Sequence, residues 1–229
     1  MVRLAPQYIG SIEGKAILPP SLEDEIILTV NSWFPNVFYS IEVGMTKTTI
    51  IPEIGSYVYK IPHNGVYIPT VETEEISPIM YFKPLEKNAC EYEQRFYVKI
   101  PDKIRKFFLP LDVWDKKPQK KGPFITIYCQ SKVNVMTEQF DKNESDPDNE
   151  IKEYFKRHFP SYENISRYWL NRAIEKYGEA AVIDLFVFLQ VNKIEDLGYT
   201  NLGITKNGDP VIIDYGGICS YKDRIIAKI

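Results

Sequence analysis

Two segments, Asp196-Leu-Gly-Tyr-Thr-Asn201 and Val211-Ile-Ile-Asp214-Tyr-Gly216, decide how this chain is read. Asp196 and Asn201 lie five positions apart, and Asp214 follows Asn201 by thirteen. The first carboxylate has the chemistry to take or orient a proton. A carboxamide and a second carboxylate are hard oxygen donors of the kind magnesium prefers. Each piece alone is ordinary, since Asp and Asn also serve as turn formers and helix caps. The combination carries more weight. An apolar helical stretch precedes Asp196, and Lys206-Asn-Gly-Asp209 supplies the strongest short hairpin signal. An apolar strand then runs into Asp214.

Oxygen donors so spaced suit transfer of a phosphoryl group, which also calls for a lysine on a strand and an acidic residue to hold it. Tyr57-Val-Tyr-Lys60-Ile-Pro62 offers the lysine, alternating with apolar neighbours. The competing reading is a solvated lysine on an edge strand. Two acidic residues are open as its partner. Glu93 shares a helical stripe with Cys90 and Tyr97, whereas Glu91 has Arg95 at i+4, the spacing of a surface ion pair. Glu93 is therefore preferred. A phosphate-covering turn is expected at Val43-Gly44-Met-Thr-Lys-Thr-Thr-Ile-Ile51, which has one glycine, Gly44. Backbone amides of such a turn can still bind phosphate.

Other chemistries fall away. Gly10-Ser-Ile-Glu-Gly14-Lys15-Ala16 is one residue short for a P-loop, and Ala16 stands where a hydroxyl should meet magnesium. Asp141-Lys-Asn-Glu-Ser-Asp146 begins like a calcium loop but lacks its glycine and ends on Lys152. His63 and His158 are the only histidines, and with scattered cysteines they form no zinc set. No nucleophile elbow is present.

Composition fits one large domain or two small lobes: 229 residues, 44% hydrophobic and 14% aromatic. A net charge of -3 gives no general attraction to nucleic acid or anionic membrane. Three cysteines, Cys90, Cys129 and Cys219, do not make a disulfide framework and suit a reducing, cytoplasmic setting. The N-terminus reads as free of a signal peptide, and no apolar run is long enough for a membrane span.

The first half reads as strands at Glu25–Val30, Val37–Ile41, Thr48–Ile51 and Tyr57–Ile61. One helix over Lys87–Lys99 follows, then strands at Phe107–Val113 and Phe124–Tyr128. The basic stretch Lys116-Lys-Pro-Gln-Lys-Lys-Gly122 between them reads as a solvated turn. Glu138–Glu150 is acidic and polar and reads as a linker. Helices are expected over Ser161–Tyr177 and Glu179–Val191, the second with Ala180, Ala181, Ile183, Phe186 and Leu189 inward. The fold class is thus α+β. A β-rich lobe (1–130) leads through a hinge and linker (131–150) to a shortened, mainly helical lobe (151–229).

These residues resemble the protein-kinase-like superfamily, and in particular the small kinase-like proteins of tailed bacteriophages. The similarity rests on Ile50-Ile-Pro52, Tyr57–Pro62, Asn88–Glu93, Tyr177-Gly178, Ile194–Gly203 and Ile213–Gly216, over roughly residues 40–216. It implies a bilobal fold that holds ATP between two lobes. Lys60 and Glu93 would be the ion pair, Gly44 would lie over the phosphates, and Cys129–Ser131 would lie near the adenine. Asp196 would be the catalytic carboxylate, and Asn201 and Asp214 the magnesium ligands. The sequence departs from the family in its single-glycine turn, in Ile194 and Glu195 before Asp196, and in Gly198 after Leu197. It also continues for only thirteen residues beyond Gly216. The function implied is an ATP- and magnesium-dependent phosphotransferase with an unidentified acceptor or protein partner. The alternative is a pseudokinase, a nucleotide-binding or structural interaction module, in a virion or host cytoplasm if phage-encoded.

Overall fold

The computed structural model describes residues 38–43, 46–63, 65–69, 80–84, 88–117, 125–142, 149–162, 164–194 and 197–215. The expected strand Glu25–Val30 and residues Gly44, Asp196, Gly216 and Cys219 lie outside them, as does the end of the basic stretch. The described chain is mixed α+β. It divides into two compact units, residues 1–91 with 111–131, and 92–110 with 132–229. The division passes through one helix, so residues 92–110, read from sequence as part of the first lobe, cluster with the second unit.

The first unit is built on a five-stranded antiparallel sheet. Its strands are β1 (Tyr39–Val43), β2 (Lys47–Pro52), β3 (Tyr57–Pro62), β6 (Asp112–Lys117) and β7 (Ile125–Ser131), in the order β1-β2-β3-β7-β6. A separate pair is formed by β4 (Gly65–Pro69) and β5 (Met80–Pro84). Strand alternation turns Ile41, Ile50, Ile61 and Ile127 to one face, where all four are buried. Tyr59 and Trp114 meet edge to face at 4.7 Å. The opposite face carries Tyr128, which clusters with Leu111 and with Cys90 of helix α1 (Ala89–Lys99). The start of α1 is capped reciprocally. Asn88 Oδ1 accepts from the Glu91 amide at 2.9 Å, and Asn88 Nδ2 donates to Glu91 Oε1 at 3.3 Å.

The expected strand Phe107–Val113 begins later, at Asp112. Before it come a short helix, α2 (Asp102–Arg105), and a turn. The reason is burial: Phe107 and Phe108 belong to the hydrophobic core of the second unit. There they run beside β10 (Pro210–Ile212), whose Ile212 amide donates to Phe107 O at 2.7 Å and whose carbonyl accepts from Leu109 N at 3.0 Å.

The second unit is mainly helical, with α3 (Glu138–Asp141), α4 (Asn149–His158), α5 (Arg167–Tyr177) and α6 (Glu179–Val191). The acidic stretch expected to be linker is thus helical at both ends. The expected helix from Ser161 starts only at Arg167, after a 3-10 turn over Pro160–Tyr162. Ser166 caps α5 by accepting from Trp169 N, and Gly178, at φ 82°, makes the abrupt turn between α5 and α6. Helix α6 buries Val182, Leu185, Phe186 and Leu189, a stripe at i, i+3, i+4, i+7. Ala180 is exposed and Ala181 and Ile183 are only half-buried, so the inward face is rotated from the one expected. Trp169 is fully buried against Phe107, and its indole Nε1 donates to Val211 O at 3.2 Å. Burial of each such large apolar side chain contributes about 1.5–3 kcal/mol. A three-stranded sheet in the order β10-β9-β8, with β8 at Asn134–Val135 and β9 at Leu202–Ile204, lies on this core. Among the described residues, no helix is long and apolar enough to cross a membrane.

Candidate functional site

In the second unit, the hairpin β9–β10 sets the positions of Asn201 and Asp214. Its turn closes through Thr205 N donating to Asp209 O and Gly208 N donating to Thr205 O, both at 2.9 Å, with Gly208 at φ 80°. Leu202 pairs with Ile212, and one step further Ile213 N donates to Asn201 O at 2.9 Å. Asn201 and Asp214 are therefore neighbours at the open end of the hairpin, both half-buried. A 3-10 turn over Tyr199–Asn201 closes with Asn201 N on Gly198 O at 2.9 Å. Next to Asp214, Tyr215 is buried at the centre of an aromatic group with Phe96, Tyr97 and Phe108. Its hydroxyl donates to Leu109 O at 2.7 Å. The aromatic residue of Asp214-Tyr-Gly thus acts as the anchor that fixes the carboxylate's backbone.

Asp196 and the preceding Glu195 lie outside the described residues. Ile194 and Leu197 are buried, and Ile194 O accepts from the Tyr162 hydroxyl at 2.8 Å.

Sequence reasoning saw Asp141 only as the first position of a rejected calcium loop within the expected linker, and gave it no role of its own. Its carboxylate is buried, 6% exposed, and gathers four donors. Oδ1 accepts from Ser166 Oγ at 2.8 Å and Tyr168 N at 2.9 Å, and Oδ2 from Tyr199 OH at 2.8 Å and Arg167 N at 3.1 Å. Burial alone would raise its pKa, but the four hydrogen bonds outweigh burial and hold it below the ordinary carboxylate value. The signal available in sequence was slight, because the helix that Asp141 caps begins 25 residues later and other acidic residues, Asp146 and Asp148, lie between.

In the first unit, Lys60 sits on β3, between β2 and β7, with Thr49 and Tyr128 as its cross-strand partners. It is 5% exposed, so the edge-strand reading does not hold. Register puts Val58, Tyr128 and Gln130 on the Lys60 face. Cys129 pairs with Tyr59 and turns its side chain to the opposite face, and burial raises its thiol pKa. The β7 residues on the Lys60 face are therefore Tyr128, which sequence reasoning passed over, and Gln130, which lies within the expected Cys129–Ser131 stretch. Burial, helped by Cys90 and Glu91, pushes the Tyr128 phenol up to about 12, so it is neutral at ordinary pH.

On α1, Glu93 is fully buried while Glu91 is half-buried and engaged by Asn88. Lys60 belongs to the first unit, and Glu93, Asn201 and Asp214 to the second. No protein-family model matches this chain, and no curated protein matches it.

Proposed function

We propose that this chain is an ATP- and magnesium-dependent phosphotransferase of protein-kinase-like, bilobal type. The observation that carries the reading is the adjacency of Asn201 and Asp214 at the mouth of the β9–β10 hairpin. Two residues with hard oxygen donors, carried on adjoining backbone at the hairpin's open end and both half-buried, suit magnesium, which keeps several waters and takes its remaining ligands from phosphate. The buried Lys60 and the buried Glu93 add the cation and the counter-charge that the reading needs.

The chemistry assigned is direct transfer. The acceptor hydroxyl attacks the γ-phosphorus as its proton passes to Asp196, and the bond from phosphorus to the β,γ-bridging oxygen breaks to release ADP. In this reading Lys60 would address the α- and β-phosphates, and Glu93 is the residue assigned as the counter-charge that such chemistry calls for. Magnesium on Asn201 and Asp214 would neutralise the phosphate charge. Val58, Tyr128 and Gln130 share the Lys60 face of the sheet, and the base is assigned to that face.

The test is phosphate transfer or ATP hydrolysis by the purified chain with magnesium and labelled ATP, beside an Asp196→Ala control. Turnover above that control supports the reading. Nucleotide binding without turnover would reduce the chain to a nucleotide-binding module.

A further inference from the structure

Three of the four donors on the Asp141 carboxylate come from the start of α5: Ser166 Oγ and the amides of Arg167 and Tyr168. That set already serves the helix N-terminus, where first-turn amides lack partners within the helix. The start of α5 is itself fixed, because Trp169 is fully buried. Arg167 Nη2 also donates to Asp141 O at 3.0 Å, and the rings of Phe140 and Tyr168 lie 5.2 Å apart. Asp141 is thus held to α5 through side chain and backbone alike.

The fourth donor, the Tyr199 hydroxyl at 2.8 Å from Oδ2, has no part in that cap. Tyr199 is half-buried, and water can serve the hydroxyl of such a residue. What its bond to Asp141 fixes is the chain around Tyr199. That chain is the 3-10 turn Tyr199–Asn201, closed by Asn201 N on Gly198 O at 2.9 Å and by Leu202 N on Tyr199 O. Hydrogen-bond geometry is poorer in a 3-10 turn than in an α-helix, so so short a turn leans on support from outside. Asn201 stands two residues past Tyr199, and Ile213 N donates to its carbonyl at 2.9 Å. The hairpin therefore pins the Asn201 backbone on one side, and Asp141 pins the turn on the other. All of these residues belong to the second unit.

We propose that Asp141 and Tyr199 are positioning residues for Asn201, setting the backbone from which its carboxamide serves magnesium. The tether follows from the hydrogen bonds, whereas the metal rests on the function proposed above. Asp141 is charged at neutral pH, since its hydrogen bonds hold it below the ordinary carboxylate value. The bond from Tyr199 is therefore charge-assisted, the stronger kind.

Two variants that each remove one donor from the same carboxylate separate positioning from stability. Tyr199→Phe frees the turn and keeps the ring. Ser166→Ala weakens the α5 cap and leaves the Tyr199 bond in place. Amide hydrogen exchange followed by NMR reads the turn in the free proteins, and calorimetry reads the binding of magnesium–ATP and of ATP in chelator. In Tyr199→Phe the Asn201 amide should exchange about tenfold faster, the scale of one charge-assisted bond. The same variant should bind magnesium–ATP about tenfold more weakly, as loss of an outer-shell support does at metal sites, with ATP in chelator unchanged. Ser166→Ala should melt lower yet keep both the Asn201 protection and the magnesium–ATP affinity. Wild-type exchange at Asn201 in Tyr199→Phe would overturn the tether. Faster exchange with unchanged magnesium–ATP affinity would overturn the positioning role, as would an equal loss in Ser166→Ala or an equal loss in chelator. No binding of magnesium–ATP by wild type would reject the functional reading and the metal role with it, and exchange at Asn201 would then decide the tether alone.

Discussion

Tyr199 donates its phenolic hydrogen to Asp141 Oδ2 at 2.8 Å, across 58 positions of sequence. The bond ties the turn that carries Asn201 to the N-terminus of α5, where the same carboxylate accepts from Ser166 Oγ and from the amides of Arg167 and Tyr168. A negative charge at a helix N-terminus is further favoured by the helix dipole. Removing one charge-assisted bond by Tyr199→Phe should cost about 1.5–3 kcal/mol of stability. Asp141→Ala strands several donors at once and should cost about 3 kcal/mol or more. Chemical denaturation monitored by circular dichroism reads both.

The same carboxylate predicts how stability responds to acid. The folded pKa of Asp141 lies below its unfolded value, so its contribution is fully present above the unfolded pKa. It is lost as pH falls through the folded one. Asp209 acts in the same sense, lowered first by its bond from Lys176 and then by Thr205 and Tyr177, against burial. Melting temperature should therefore fall as pH drops below the ordinary carboxylate range. Asp141→Asn should melt lower at neutral pH and show a shallower acid dependence.

Gly203, on the central strand of the β10-β9-β8 sheet, has no room for a side chain. A Cβ there would overlap Val133 Cγ2 and lie 3.1 Å from Val133 Cβ. Gly203→Ala should destabilise by about 1–3 kcal/mol, the usual cost of overpacking. Val133→Ala in the same chain should relieve most of that loss, and a double-mutant cycle by denaturation measures it.

How much of this was legible in sequence depended on how local each signal was. The Asn207-Gly208 turn, strand β3 and the Cys90–Glu93 stripe of α1 were read in advance because turn chemistry and periodicity write them locally. The stretch Phe107-Phe108-Leu109 looked like strand because it is apolar. Its partners are Trp169, Tyr215 and Ile212, far away in sequence, and they drew it into another core. Helix α4, Asn149–His158, was hidden by its polarity, since only Phe155 is buried among its residues from Glu153 onward. Asp141 was missed for the same reason as Phe107: its four donors come from a helix and a turn that follow much later. The residue types at Lys60, Glu93, Asn201 and Asp214 were visible in sequence. The adjacency of Asn201 and Asp214 and the burial of Lys60 were not.

The adjacency of Asn201 and Asp214 predicts a metal-specific defect. Asp214→Asn and Asn201→Ala should each weaken magnesium–ATP binding by about tenfold or more, with little change for nucleotide in the presence of a chelator. Calorimetry with and without magnesium separates the two. Equal losses in both conditions would show that the pair does not hold the metal.

Nucleotide binding by wild type and Lys60→Ala, measured side by side with magnesium–ATP, tests the central claim most directly. The account predicts saturable binding and a raised melting temperature for wild type, as ligand binding to the folded state requires. It predicts at least a tenfold loss in Lys60→Ala, which should still fold. No binding by wild type at millimolar magnesium–ATP, or equal binding by the two proteins, would contradict it.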